Sequence, residues 1–186
     1  KSSGGKQISP IPITDDVLCK DIESRFQDAQ RRRGTLYDSL VIAGEGEPTL
    51  RLSTLLSVVK KPIRSACFGC AVPSTIRVVT NGLGDAVPEN HGCAKQMKEA
   101  GVSGVSVALM TASSDQYDEW MYPCLPEEIS TPALDVVCEF IRGAIEAGLS
   151  VEVTGVDREE VDKGTTEELA RSLGVLEPVR WRPYFP

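Results

Sequence analysis

Residues Val41 to Leu52 of this 186-residue chain read VIAGEGEPTLRL: an apolar run stops at Gly44-Glu45-Gly46-Glu47-Pro48, and a helical pattern follows. A plain turn is served by Asn-Gly or Pro-Gly, which supply the backbone angles a reversal needs. Two glycines interleaved with two carboxylates offer more. Glycine lets a ligand approach the backbone, and a carboxylate beside it accepts hydrogen bonds from an ammonium group. Similar residues follow the other apolar segments: Thr80-Asn81-Gly82, Met110-Thr111-Ala112, Thr154-Gly155-Val156-Asp157 and Arg182-Pro183-Tyr184. Singly, each suits an ordinary strand-to-helix turn. Together they suit a small zwitterionic ligand.

The elements that would position these residues alternate. Thr14-Asp15-Asp16 supplies a cap, and Val17, Leu18, Ile22 and Phe26 recur at helical spacing up to Arg31-Arg32-Arg33. Ser39 to Ala43 predicts a strand, Leu50 to Lys60 a helix, and the β-branched Ser74 to Thr80 a second strand. Cys93 to Ala100 predicts a helix stopped by Gly101, and Val102 to Leu109 a strand. After a polar break, Thr131-Pro132 opens a helix to Gly148 with Pro at its first position. Ser150 to Thr154 predicts the fourth strand, Thr165-Thr166-Glu167-Glu168 starts the last helix, and Val179 to Arg182 predicts the fifth strand. Strict alternation demands parallel strands joined by right-handed crossovers. A doubly wound open sheet and a (β/α) barrel both satisfy it, and in both the ligand meets the C-terminal ends of the strands.

Composition narrows the partners. With 27 acidic against 20 basic residues the chain carries a formal charge of −7, which disfavours a nucleic acid partner. The three arginines at positions 31–33 complement the end of a helix dipole. No apolar run reaches the roughly 20 residues of a membrane span, so a cytoplasmic protein with reduced thiols is expected. Lys1 to Pro12 is rich in Ser, Gly and Pro, and the expected division is a flexible segment over 1–13 and a single domain over 14–186.

The segments VIAGEGEPTLRLSTLL, IRVVTNGL, LMTASSDQYDEWMYP, VEVTGVD and VRWRPY, in that order, resemble the radical S-adenosylmethionine superfamily, and more closely its TatD-associated branch. The resemblance runs from about Ser39 to the end. It implies an α/β fold, a partial (β/α) barrel with five parallel strands and outer helices. It also implies that Gly44, Glu45, Gly46, Glu47 and Pro48 hold the methionine ammonium of S-adenosylmethionine, with Asn81, Ser106, Thr154 and Arg182 completing the cofactor site. Glu47 is then expected to serve the ligand rather than the fold. The family's first strand is followed by a Cys-x3-Cys-x2-Cys loop that ligates a [4Fe–4S] cluster, and no such spacing occurs here. The expectation is a barrel lacking its first strand, inactive by itself, with the cluster supplied only by cysteines upstream. A binding or interaction module on a degenerate barrel is the alternative, and an uncovered edge at Leu40 to Ala43 suggests a homo-oligomer.

Other constellations are weak. Cys67 and Cys70, with His91 and Cys93, offer four sulfur and nitrogen ligands for zinc, but in no common spacing, so no metal site is assigned. Cys138 falls on the apolar side of a helix and reads as core. His91, the sole histidine, lies at the wrong end of a strand for a catalytic triad. No catalytic residue is assigned.

Overall fold

The computed structural model describes residues 14, 16–21, 24–25, 28, 39–43, 46–65, 73–121 and 131–185. Arg31 to Arg33, Gly44, Glu45, Cys67, Cys70, Cys124 and the whole 1–13 segment lie outside the described residues. Five strands form one sheet: β1 (Ser39–Ile42), β2 (Thr75–Thr80), β3 (Gly104–Ala108), β4 (Ser150–Asp157) and β5 (Arg180–Pro183). Every neighbouring pair is parallel, and the spatial order is β1-β2-β3-β4-β5. That order decides between the two architectures left open by the sequence. A doubly wound sheet reverses its order at a switch point, whereas strands laid down sequentially keep every crossover on one side and curl. The sheet is half of an α/β barrel.

Helical residues 16–21 form α1 ahead of β1. The others are α2 (Leu52–Ser65), α3 (Cys93–Ala100), α4 (Ser114–Met121), α5 (Ala133–Glu146) and α6 (Lys163–Ser172). Strand register explains how they pack. Ile42, Val78, Val105 and Val151 stand side by side, and Thr80, Val107 and Val153 form a parallel row two residues on. This face joins Val59, Met97, Phe140 and Ile141 of the helices in one buried core. Each such buried side chain contributes about 1.5–3 kcal/mol of apolar transfer free energy. The opposite, helix-free face carries Arg77, Val79, Ser106, Ala108, Glu152, Thr154, Arg180 and Arg182.

The elements depart from the sequence pattern where a tertiary contact overrides it. The polar break after β3 contains α4, whose one fully buried side chain, Tyr117, ties it to the core. The predicted helix from Leu50 begins instead as a 3-10 turn, Pro48–Arg51, and α2 continues past Lys60 through Pro62. Pro132 is the N-cap of α5 rather than its first residue. Asp162, not Thr165, caps α6, its carboxylate accepting from the Thr165 N–H at 3.0 Å. That bond holds the exposed Asp162 carboxyl below the usual range.

β4 runs three residues beyond its predicted end at Thr154 because Gly155 is a packing glycine, not a turn. It pairs with Trp181, and a Cβ placed on it would lie 2.4 Å from the Trp181 ring at Cζ3. The indole in turn donates to Glu167 of α6 at 3.0 Å. Gly155→Ala is therefore expected to cost about 1–3 kcal/mol, the range for overpacking a filled site. Urea unfolding followed by tryptophan fluorescence checks it, and Trp181→Leu in the same chain should recover much of the loss.

Candidate functional site

Glu47 stands where the loop after β1 becomes the 3-10 turn. Pro48 opens that turn without an N–H, so the first donor needing a partner belongs to Thr49. Glu47 Oε1 accepts from the Thr49 N–H at 2.9 Å, the Thr49 hydroxyl at 2.6 Å and the Thr80 hydroxyl at 2.6 Å. Its Oε2 accepts from the Asn81 N–H at 2.7 Å. A carboxylate offers about four acceptor positions. Oε1 is filled, and Oε2 keeps room for one further donor. The expectation that Glu47 leaves the fold unaffected is thereby corrected: its carboxylate ties the loop after β1 to the end of β2.

The surroundings of this carboxylate are equally bonded. Thr80 Oγ1 accepts from the Gly82 N–H at 2.9 Å, and Asn81 Oδ1 accepts from the Leu83 N–H at 3.0 Å. The Asn90 amide donates to the Thr49 carbonyl at 2.8 Å. Gly84 packs so closely on Thr49 that a Cβ there would meet its Cβ and Oγ1 at 2.7 Å. From α4, the Tyr117 hydroxyl donates to the Asn81 carbonyl at 3.3 Å. Burial first, then the negative field of Glu47, pushes the Tyr117 phenol far above its usual range, so it remains a neutral donor.

The same effects, burial and then the charges of Asp85 and Glu47, push the Cys93 thiol up to about 12. Cys93 is buried while His91 is exposed. Among the described residues no group of three or more His, Cys, Asp or Glu is arranged to hold a metal ion. Cys138 lies in the core, and burial raises its thiol as well.

The remaining sequence-selected residues spread across the sheet. Gly46, Glu47, Pro48 and Asn81 are brought together at the β1–β2 end. Ser106 lies within β3, below the rim, and donates to Glu152 on its register partner in β4. Thr154 is buried between Ala108 and Arg180, its hydroxyl 3.4 Å from the Val107 carbonyl. Arg182 is exposed on β5, the far edge. β5 lies three strands from β2, roughly 14 Å along the sheet at 4.7–4.9 Å per strand. A ligand touching both Glu47 and Arg182 must therefore have about the length of a nucleoside with a side arm.

Three features went unread in the sequence. Glu152 pairs with Arg180 at 2.8 Å on the helix-free face, a role hinted at by a carboxylate alternating with valines in VEVTGVD. Met110, just past β3, is held at φ 64°, the one described non-glycine residue in the left-handed region, and such conformations gather where a site needs them. The Arg158 guanidinium lies against two rings, 4.9 Å from the Trp120 centroid and 4.3 Å from that of Tyr184. No local pattern joins three residues from three different segments.

No family model matches the sequence, and no curated protein matches it. In structure the chain is similar to TsrM, a radical S-adenosylmethionine methyltransferase from Kitasatospora setae solved with cobalamin and a [4Fe–4S] cluster. The TM-score is 0.58 at 12% identity, over 91% of this chain and 31% of that one. At this identity the likeness is one of fold. This chain thus spans less than a third of the neighbour's length, and no helix among its described residues is long and apolar enough to cross a membrane.

Glu47→Gln tests the structural part of this site. The amide keeps one acceptor but turns an NH₂ toward a hydrogen-bond donor, so stability should fall by roughly 1.5–3 kcal/mol, the range for bonds to a charged group. The midpoint of urea unfolding measures it. An unchanged midpoint would mean that the four bonds add nothing to the folded state.

Proposed function

We propose that the chain is the body of a radical S-adenosylmethionine domain, of the TatD-associated branch and cytoplasmic, whose helix-free rim binds S-adenosylmethionine. The observation that carries the proposal is the junction of Glu47 with the Asn81 backbone at the C-terminal ends of β1 and β2. It lies on the rim where an α/β barrel meets its ligand, in a fold shared with a radical S-adenosylmethionine enzyme. The residues fit the amino-acid end of the cofactor in a limited way. The open position on Glu47 Oε2 takes one ammonium N–H, beside Gly46 and Pro48, with Gly44 and Glu45 in the same loop. Asn81, Ser106, Thr154 and Arg182 then line the course of the nucleoside across the sheet.

When cleaved reductively, this cofactor supplies a 5′-deoxyadenosyl radical; the protein's part is to bind it and exclude water. The described residues do not fit an iron–sulfur cluster. Their three cysteines, Cys19, Cys93 and Cys138, are buried and belong to separate elements. No step is derived through the cluster. The engagement of Glu47 by four protein donors favours a second reading, a binding module that retains the fold without the chemistry.

Titrating S-adenosylmethionine into the isotope-labelled chain tests binding. Amide shifts are expected at Gly46 to Glu47, Asn81, Ser106, Thr154 and Arg182, saturating together. Shifts confined to the helices, or none at millimolar cofactor, would remove the proposal. Formation of 5′-deoxyadenosine by the full-length protein after iron and sulfide reconstitution separates the enzymatic reading from the binding module.

A second copy of the chain is the proposed macromolecular partner. Among the described residues β1 pairs only with β2, and Val41 is 57% exposed on that edge. An unpaired edge with an exposed apolar side chain is a template for further pairing. Sedimentation should show concentration-dependent association that Val41→Lys weakens. A wild-type chain that stays monomeric at every concentration would rule it out.

A further inference from the structure

At the opposite end of the rim from Glu47, β4 ends in a tight turn in which the Arg158 N–H donates to the Val156 carbonyl at 3.0 Å. Val156 pairs with Arg182, and two residues later on each segment Arg158 meets Tyr184. Trp120 of α4 adds a second ring contact, its centroid 4.9 Å from the Arg158 guanidinium. Two aromatic rings thus contact that cation. Stacking uses the faces of a guanidinium and leaves its N–H donors, which lie in its plane, available.

Among the described residues neither Arg158 nor Arg182 makes a side-chain hydrogen bond or an ion pair. Glu159 and Glu160 follow Arg158 directly and are exposed, and two other carboxylates of this end are occupied. Glu152 is held by Arg180 at 2.8 Å, and Asp157 by Lys163 at 2.5 Å. Two arginines with no ion pair among the described residues, one just past β4 and one on β5, are unusual on a chain of net charge −7. The aromatic rings also restrict Arg158, which lowers the entropy lost when it grips a ligand.

We propose that Arg158 and Arg182 form an anion subsite at the β4–β5 end of the rim, which takes an oxyanion group, phosphate or carboxylate, of a small ligand. The planar Arg158 presents its donors in a fixed orientation, Arg182 adds a second cation on the neighbouring strand, and Trp120 and Tyr184 are positioning residues for Arg158. A guanidinium matches either oxyanion with paired N–H donors. The subsite shares Arg182 with the proposed S-adenosylmethionine site and adds Arg158, which that site does not use.

The test follows arginine Nε–H signals by NMR while pyrophosphate or, separately, succinate is added at constant ionic strength. Saturable shifts at Arg158 and Arg182 are expected, and the probe that saturates at lower concentration identifies phosphate or carboxylate as the preferred group. Arg158→Gln and Arg182→Gln should each weaken binding by about ten-fold or more, the loss of one charge-assisted bond. Trp120→Leu should weaken it several-fold by releasing Arg158. Arg142→Gln, on the surface of α5, should leave it unchanged. All four positions are at least partly exposed, and the amide spectrum of each variant verifies its fold. Linear shifts reproduced by sodium chloride, or unaltered affinity in Arg158→Gln, would overturn the subsite. Neither probe contains a nucleoside or a sulfonium, so that failure would leave the S-adenosylmethionine proposal standing.

Discussion

One carboxylate determines how the first two strands present their ends. Glu47 gathers donors from its own turn, Thr49, and from the end of a strand more than thirty residues away, Thr80 and Asn81. Because Thr49 is fully buried and gripped by Gly84 and Asn90, the loop after β1 cannot shift without disturbing the loop after β2. The arrangement is cooperative. Loss of Glu47 leaves the buried Thr49 and Thr80 hydroxyls and two backbone N–H groups without their acceptors, and each unsatisfied donor carries a desolvation penalty of about 1–3 kcal/mol. Tyr117 extends the same network to α4 and is that helix's one fully buried side chain.

The sequential strand order supplies the second constraint. With every crossover on one side, the helices bury one face and leave the other, where Ser106, Glu152 and Arg180 form a bonded polar chain. A face of this kind tolerates charge only when it is paired or wet. Pairing prevails in its middle. Just past the end of β4, Arg158 makes no ion pair among the described residues and lies against aromatic rings instead.

The alternation of strands and helices was legible because β-branched runs such as IRVVT and the apolar face of ALDVVCEFIRGAIE are local signals. The division between sheet and barrel was not, since strand order is a property of pairing between distant segments. SSDQYDEW gave no helical signal, having a single large apolar anchor among polar residues, and it became α4 through Tyr117. The rim glycines were overread in one place. Gly155 looked like a turn residue, yet its lack of a side chain makes room for Trp181, a partner 26 positions along the chain. Glu47 was found by its glycine-rich neighbourhood, but the donors that occupy it come from a second segment, and nothing in GEGEP announces them.

The two ends of the rim also differ in what remains free for a ligand. At the Glu47 end, hydrogen bonds provide the rigidity, so the groups that define the site are the groups that hold the fold. At the Arg158 end rigidity comes from stacked rings, which immobilise a cation without using its donors. A ligand arriving at Glu47 must compete with, or fit around, four existing bonds, whereas one arriving at Arg158 and Arg182 meets cations bound to no other described carboxylate. Discrimination among ligands is therefore expected to reside in the β4–β5 end, with the Glu47 end acting as the fixed wall against which a ligand is measured. This division follows from chemistry alone: a carboxylate organises a backbone by accepting its N–H groups, and a guanidinium, having no acceptor, cannot do the same.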